Sequence, residues 1–153
     1  MNSEHTEAYY NRRCTYNLLG KYKKAIEDFN KLIILNPKDA EAYNNRGTAY
    51  GSLGQYQKAI KDFNKAIELR PEYAEAYYNR GTTYYELGQY EKALKDFNET
   101  IKLNPNDAKA YYNRGLAHYH LGQHKKACKD ASYACELKRC EFYEYLINQG
   151  ICK

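Results

Sequence analysis

The 153-residue chain has no tryptophan, one methionine, three prolines and only four phenylalanines. No apolar run approaches the roughly 20 residues that a bilayer-spanning helix needs, so a membrane protein is not expected. The opening Met-Asn-Ser-Glu-His-Thr-Glu is polar, and no signal peptide is expected there. A Gly-rich phosphate loop, a Gly-x-Ser-x-Gly elbow and a His-Glu-x-x-His pair are all missing, so the sequence points to no enzyme and no cofactor. A strong excess of one charge is lacking too. The formal net charge of +5 divides into +3 for residues 6–39, +1 for 40–73, −2 for 74–107, +4 for 108–141 and −1 for the ends. Basic ends around an acidic middle do not make the single basic face of a nucleic-acid binder.

Tyrosine is plentiful, with 19 residues. A ring carrying a hydroxyl suits a thin protein whose core is never far from water. Hydrophobic residues at 43% and charged residues at 28% are globular proportions, and the length is that of a single domain, 1–153.

The chain repeats itself every 34 residues without a gap, in copies 6–39, 40–73, 74–107 and 108–141. The third reads AEAYYNRGTTYYELGQYEKALKDFNETIKLNPND. In each copy two stretches of helix formers flank a glycine, Gly20, Gly54, Gly88 or Gly122, where the first helix must end. Pro37, Pro71 and Pro105 stop the second helix. One such hairpin is too small to bury its own apolar face, so neighbours must stack into a solenoid.

Tyr77, Gly81, Tyr84, Gly88, Ala93, Phe97 and Pro105 fall at the spaced positions of the tetratricopeptide repeat, which the sequence resembles along almost its whole length. The resemblance implies an all-α, right-handed superhelical solenoid that binds proteins or peptides. One position departs from that family: its leucine before the first glycine is Arg12, Arg46, Arg80 and Arg114 here. Sixteen residues on stand Asp28, Asp62, Asp96 and Asp130, which predicts an Arg–Asp pair inside every repeat. In the fourth copy Ala131 replaces the phenylalanine and no proline follows Leu137. The segment after Cys140 is therefore read as a capping helix over about 141–149, with Phe142 or Tyr145 filling the space at Ala131.

Metal and thiol chemistry find little support. His120 and His124 have helical spacing but Gly122 lies between them, and His118 and His124 replace tyrosines of other copies, so all are read as packing residues with no metal site. Cys128, Cys135, Cys140 and Cys152 match no zinc-knuckle spacing. An odd total of five cysteines, without a signal peptide, favours free thiols in a reducing cytoplasm. A disulfide or soft-metal site, formed if the ends of the capping helix curl inwards, is the alternative.

The resemblance also implies where recognition occurs, since in this family the first helices line a concave groove through positions 2, 5, 6, 9, 12 and 13 of the repeat. Position 6 is Asn11, Asn45, Asn79 and Asn113, similar to the asparagine ladder of some superhelical members. Carboxamides one repeat apart suit an extended peptide backbone. Position 5 holds Tyr10, Asn44, Tyr78 and Tyr112, position 9 holds Thr48 and Thr82, and position 12 holds Tyr85 and Tyr119. Lys109, at position 2, completes the expected groove. The clamp with which some members hold acidic chaperone tails is matched only by Asn79 and Lys109. A peptide-binding module is the expected function. A self-stacking scaffold, forming a weak homo-oligomer through exposed repeat ends, and a thiol- or metal-responsive domain are the alternatives.

Overall fold

The computed structural model describes residues 21–152. Tyr10, Asn11, Arg12 and Gly20, with the expectations attached to them, lie outside the described residues. Among the described residues all regular structure is helical: α1 (Tyr22–Leu35), α2 (Ala40–Ser52), α3 (Tyr56–Leu69), α4 (Ala74–Glu86), α5 (Tyr90–Leu103), α6 (Ala108–His120), α7 (His124–Glu136) and α8 (Glu141–Asn148). This is an all-α helical-repeat solenoid: the second helix of repeat one, three helix pairs and a short final helix.

The helix ends follow from local chemistry. Gly54, Gly88 and Gly122 adopt φ of 69°, the left-handed conformation that ends each first helix. Helices α1, α3 and α5 end at Leu35, Leu69 and Leu103, ahead of Pro37, Pro71 and Pro105. Asp39 caps α2 by accepting from the Ala42 amide at 2.9 Å, and Asp107 caps α6 by accepting from the Lys109 and Ala110 amides at 2.9 and 3.0 Å.

The chain forms two compact units, one ending at Ala76 and the other starting at Tyr77. In the first, Ala25, Phe29 and Leu32 of α1 pack on Ala42 and Ala49 of α2. Phe63 of α3 lies so close to Gly47 of α2 that a Cβ there would come within 2.7 Å of its ring. The second unit repeats this with Phe97 of α5 against Gly81 of α4, where a Cβ would meet the ring at 2.9 Å. A small residue on the first helix thus admits the largest buried side chain of the second.

The Arg–Asp pairs form in all three repeats where both partners are described. Arg46 Nε and Nη2 donate to the Asp62 carboxylate at 2.7 Å each, Arg80 to Asp96 at 2.8 and 2.7 Å, and Arg114 to Asp130 at 2.7 Å each. The aspartates are only 4–5% exposed. Burial works against the charge on Arg46 and Arg80, yet the hydrogen bonds and charge of Asp62 and Asp96 outweigh it and hold both arginines above their ordinary pKa. Two of the arginines also reach the preceding helix, Arg46 donating to Asn30 and Arg114 to Asn98 at 2.7 Å.

The capping helix α8 covers the last repeat as expected, and Phe142, not Tyr145, fills the space above Ala131. Phe142 and Leu146 are buried with Ala127 and Ala131, while Tyr145 is exposed. A Cβ at Gly115 would lie 3.3 Å from the Phe142 ring, so α8 supplies the phenylalanine that α7 lacks.

The cysteines correct the sequence reading. They are not free thiols: Cys128 pairs with Cys152 and Cys135 with Cys140. The segment after α8 folds back, its Ile151 amide donating to the Leu146 carbonyl at 2.9 Å, which brings Cys152 to Cys128 on α7. A tight turn brings Cys140 to Cys135. The reducing compartment inferred from free thiols loses its basis.

Two outcomes are expected. Arg80→Met strands the buried Asp96 carboxylate and should cost about 3–5 kcal/mol in urea unfolding, most of it recovered by adding Asp96→Leu. A double variant as unstable as the single one would contradict the pairing. Reducing the Cys128–Cys152 bridge, which spans 24 residues, should lower stability by about 3 kcal/mol. Thermal melts with and without reductant check this, with Cys128→Ser/Cys152→Ser as the variant insensitive at that bridge.

Candidate peptide-binding surface

The first helices of the repeats carry the expected binding residues, and each unit positions its own. In the unit ending at Ala76, Asn44 departs from expectation. It is fully buried, and its amide donates to the Tyr73 hydroxyl at 3.3 Å and the Glu75 carboxylate at 3.2 Å. Tyr73 stands where Asp39 and Asp107 cap their helices, so this repeat joint uses a tyrosine and a buried amide instead. Burial first, then the charges of Glu75 and Glu41, push the Tyr73 hydroxyl up to about 12. Asn44 therefore ties α2 to the start of α4 and offers nothing to a ligand. Asn45 is half-buried and Thr48 exposed on the same helix, the Thr48 hydroxyl donating to the Asn44 carbonyl at 3.1 Å.

The unit starting at Tyr77 brings more of the expected residues together. Tyr78, Asn79, Thr82 and Tyr85 lie half-buried along α4, and Tyr112, Asn113 and Tyr119 along α6, with Lys109 exposed in its first turn. The Asn113 amide donates to the Tyr78 hydroxyl at 3.0 Å, linking positions 5 and 6 of adjacent repeats. Burial raises the Tyr78 pKa against the opposing hydrogen bond from Asn113, so the phenol stays protonated and able to donate. Among the residues that the resemblance assigns to the groove, the Tyr78 phenol and the Asn113 carboxamide meet across repeats.

The position-12 tyrosines are committed to ring packing. Tyr85 meets Tyr90 and His120 edge-on at 5.4 and 5.5 Å, and Tyr90 stacks on His120 at 4.8 Å. Tyr119 touches His120, His124, Phe142 and Tyr145. These rings brace α8 and the inter-helix turns, and the histidines join them as packing residues. Among the described residues no group of three His, Cys, Asp or Glu side chains is placed to hold a metal. No described helix is long and apolar enough to cross a membrane.

Arg139 was not anticipated. Its guanidinium carbon lies 4.0 Å from the centre of the Tyr112 ring. The available signal was a break in repetition, since Arg139 occupies the place of Pro37, Pro71 and Pro105.

Stacked helical hairpins with polar and aromatic side chains on their first helices define a helical-repeat interaction module. Models of the TPR repeat match residues 15–54 and 81–122, and tetratricopeptide repeat models match 40–73, 63–95 and 108–139. The chain belongs to the tetratricopeptide repeat family, a family of protein-interaction modules. Among solved structures, the crystal structure of MamA is 33% identical, with a TM-score of 0.81 over 86% of this chain and 77% of that one. MamA 41-end from Desulfovibrio magneticus RS-1 is 26% identical, with a TM-score of 0.83 over 95% and 85%. The first TPR of Spaghetti (RPAP3), bound to the HSP90 peptide SRMEEVD, is 28% identical, with a TM-score of 0.75 over 80% and 97%. No curated protein sequence matches the chain.

The His118 environment generates a pH test. Burial lowers its pKa from 6.5, against the raising effect of Asp130 and of the 2.9 Å contact with Gln123. A folded-state pKa below the unfolded one means that the stability is present above pH 6.5 and is lost as pH falls through the lowered value. His118→Tyr, restoring the residue of other repeats, should flatten the fall in melting temperature below that pH. An identical pH profile in both proteins would contradict the assignment.

Proposed function

We propose that this chain is a non-enzymatic module that holds an extended peptide or protein segment along the first helices of its repeats. The observation that carries the reading is the Tyr78–Asn113 hydrogen bond, which joins a phenol and a carboxamide of successive repeats on the helix face expected to meet the ligand. Asn45, Asn79 and Asn113 then contact the segment's backbone, while Tyr78 and Tyr112 supply flat, half-buried rings for its side chains. The peptide bound by the related Spaghetti domain supports this use of the fold. The clamp residues for acidic chaperone tails are mostly replaced here, so the ligand is a different segment.

Each neutral backbone hydrogen bond contributes about 1 kcal/mol net, so loss of three should weaken binding by about two orders of magnitude. Affinity capture from cell lysate with the wild type and with Asn45/Asn79/Asn113→Ala, folded alike by circular dichroism, tests this. A partner retained by the wild type and lost by the variant is the expected result. Equal capture by both would remove the asparagines from recognition.

A further inference from the structure

The turn that joins α7 to α8 lacks the residues that break the chain between the earlier helices. Helices α2, α4 and α6 are followed by a glycine in the left-handed conformation, and α1, α3 and α5 end ahead of a proline. Between α7 and α8 the chain reads Leu137, Lys138, Arg139, Cys140, with neither. Leucine, lysine and arginine are strong helix formers. Lys138 nevertheless stands at φ 68°, beside the 69° of Gly54, Gly88 and Gly122, and among the described residues no other non-glycine has positive φ. A lysine holds that conformation at a backbone cost that glycine escapes. The Lys138 and Arg139 amides donate to the Cys135 and Ala134 carbonyls at 2.8 Å, closing the turn as glycine does elsewhere.

The Cys135–Cys140 disulfide holds the turn that these residue types do not favour. It joins Cα atoms 4.0 Å apart. Residues five apart in a continuous α-helix are separated by roughly 8–9 Å, beyond the reach of a disulfide. With the bridge closed, α7 and α8 cannot run together. The Cys128–Cys152 bridge is a second restraint, since a single helix would carry the end of α8 roughly 30 Å from Cys128. With both bridges open, no glycine or proline in residues 136–141 stops one helix from His124 to Asn148, and Lys138 returns to a right-handed conformation. Such a helix draws Phe142 and Leu146 away from Ala127, Ala131 and the rings of Tyr112 and Tyr119. The apolar slot left behind is shaped to α8, so the α8 of a second copy fills it with the same contacts.

We propose that the α7–α8 turn is a thiol-controlled hinge: reduction of both bridges lets α7 and α8 join as one helix, and two copies then exchange α8 in a swapped dimer. The reductant is a dithiol. At each bridge one of its thiolates attacks a cysteine sulfur to form a mixed disulfide, and the other cysteine leaves as a thiolate that takes up a proton. The second thiol of the reductant then displaces the first cysteine. Each bridge gains two electrons and two protons, and the reductant becomes a cyclic disulfide. The hinge is independent of what the first helices bind.

Light scattering on the full chain carrying Cys14→Ser, which leaves only the four paired cysteines, tests the hinge first. A monomer when oxidised and a concentration-dependent dimer after reduction with dithiothreitol, without loss of helix content, are expected. A reduced protein that stays monomeric up to its solubility limit overturns the proposal. Exchange is then read across copies by mixing a Cys128→Ser protein with a Cys152→Ser protein in that background and oxidising with glutathione disulfide. One mixture keeps the Cys135–Cys140 bridge closed, and in the other both proteins also carry Cys135→Ser/Cys140→Ser. A disulfide from Cys152 of one copy to Cys128 of the other, found by peptide mapping in the second mixture only, is expected. Adding Lys138→Gly, which favours the turn and disfavours the joined helix, should lower its yield at least about tenfold. Equal yields in the two mixtures, a yield unmoved by Lys138→Gly, or a dimer whose copies never share the bridge would each overturn the proposal.

Discussion

The bond between an arginine on the first helix and an aspartate sixteen residues later sets the geometry of every repeat in which both are described. Its fork geometry admits one register between the two helices, because both Nε and Nη2 must face the carboxylate together. The next residue in each strand of the hairpin completes the lock. Gly47 follows Arg46 and Phe63 follows Asp62, and Gly81 with Phe97 repeats the arrangement. A buried ion pair between well-desolvated partners adds little net stability over an apolar pair, so its contribution here is to specificity of alignment. The tyrosine three residues before each arginine adds to this, with guanidinium-to-ring distances of 5.3–5.5 Å at Tyr43, Tyr77 and Tyr111.

The same constraint explains the end of the solenoid. In the fourth repeat Arg114, Gly115 and Asp130 persist, but Ala131 leaves the glycine facing empty space. Helix α8 fills it with Phe142, and the two disulfides fasten that helix by its beginning and by the segment after its end. The final helix thus completes the last hairpin instead of beginning another, as a terminal repeat requires.

Features that recur were legible in the sequence. Helix ends, the Arg–Asp pairs and the capping helix could all be read because one copy explains another, while the choice of Phe142 over Tyr145 came from the fold. Features that occur once were not. Asn44 shares its position with tyrosines, but Tyr73 replaces an aspartate cap next to it, and only the fold brings those two departures together. Cysteine pairing depended on the direction taken by the chain after α8, which no periodicity encodes. Arg139 sits at a proline position, and its contact with Tyr112 arises from a left-handed turn at Lys138, a residue type that rarely adopts that conformation.

Structural bonds occupy the contact between first and second helices, and the proposed recognition face is the other face of the first helices. Placing a photo-crosslinking phenylalanine analogue at Tyr78, and separately at exposed Lys95 on α5, compares the two faces under identical conditions. Illumination in cell lysate should join a partner to the protein labelled at Tyr78, and none at Lys95. A partner joined at Lys95 and absent at Tyr78 would place recognition on the second helices and contradict this assignment of the binding face.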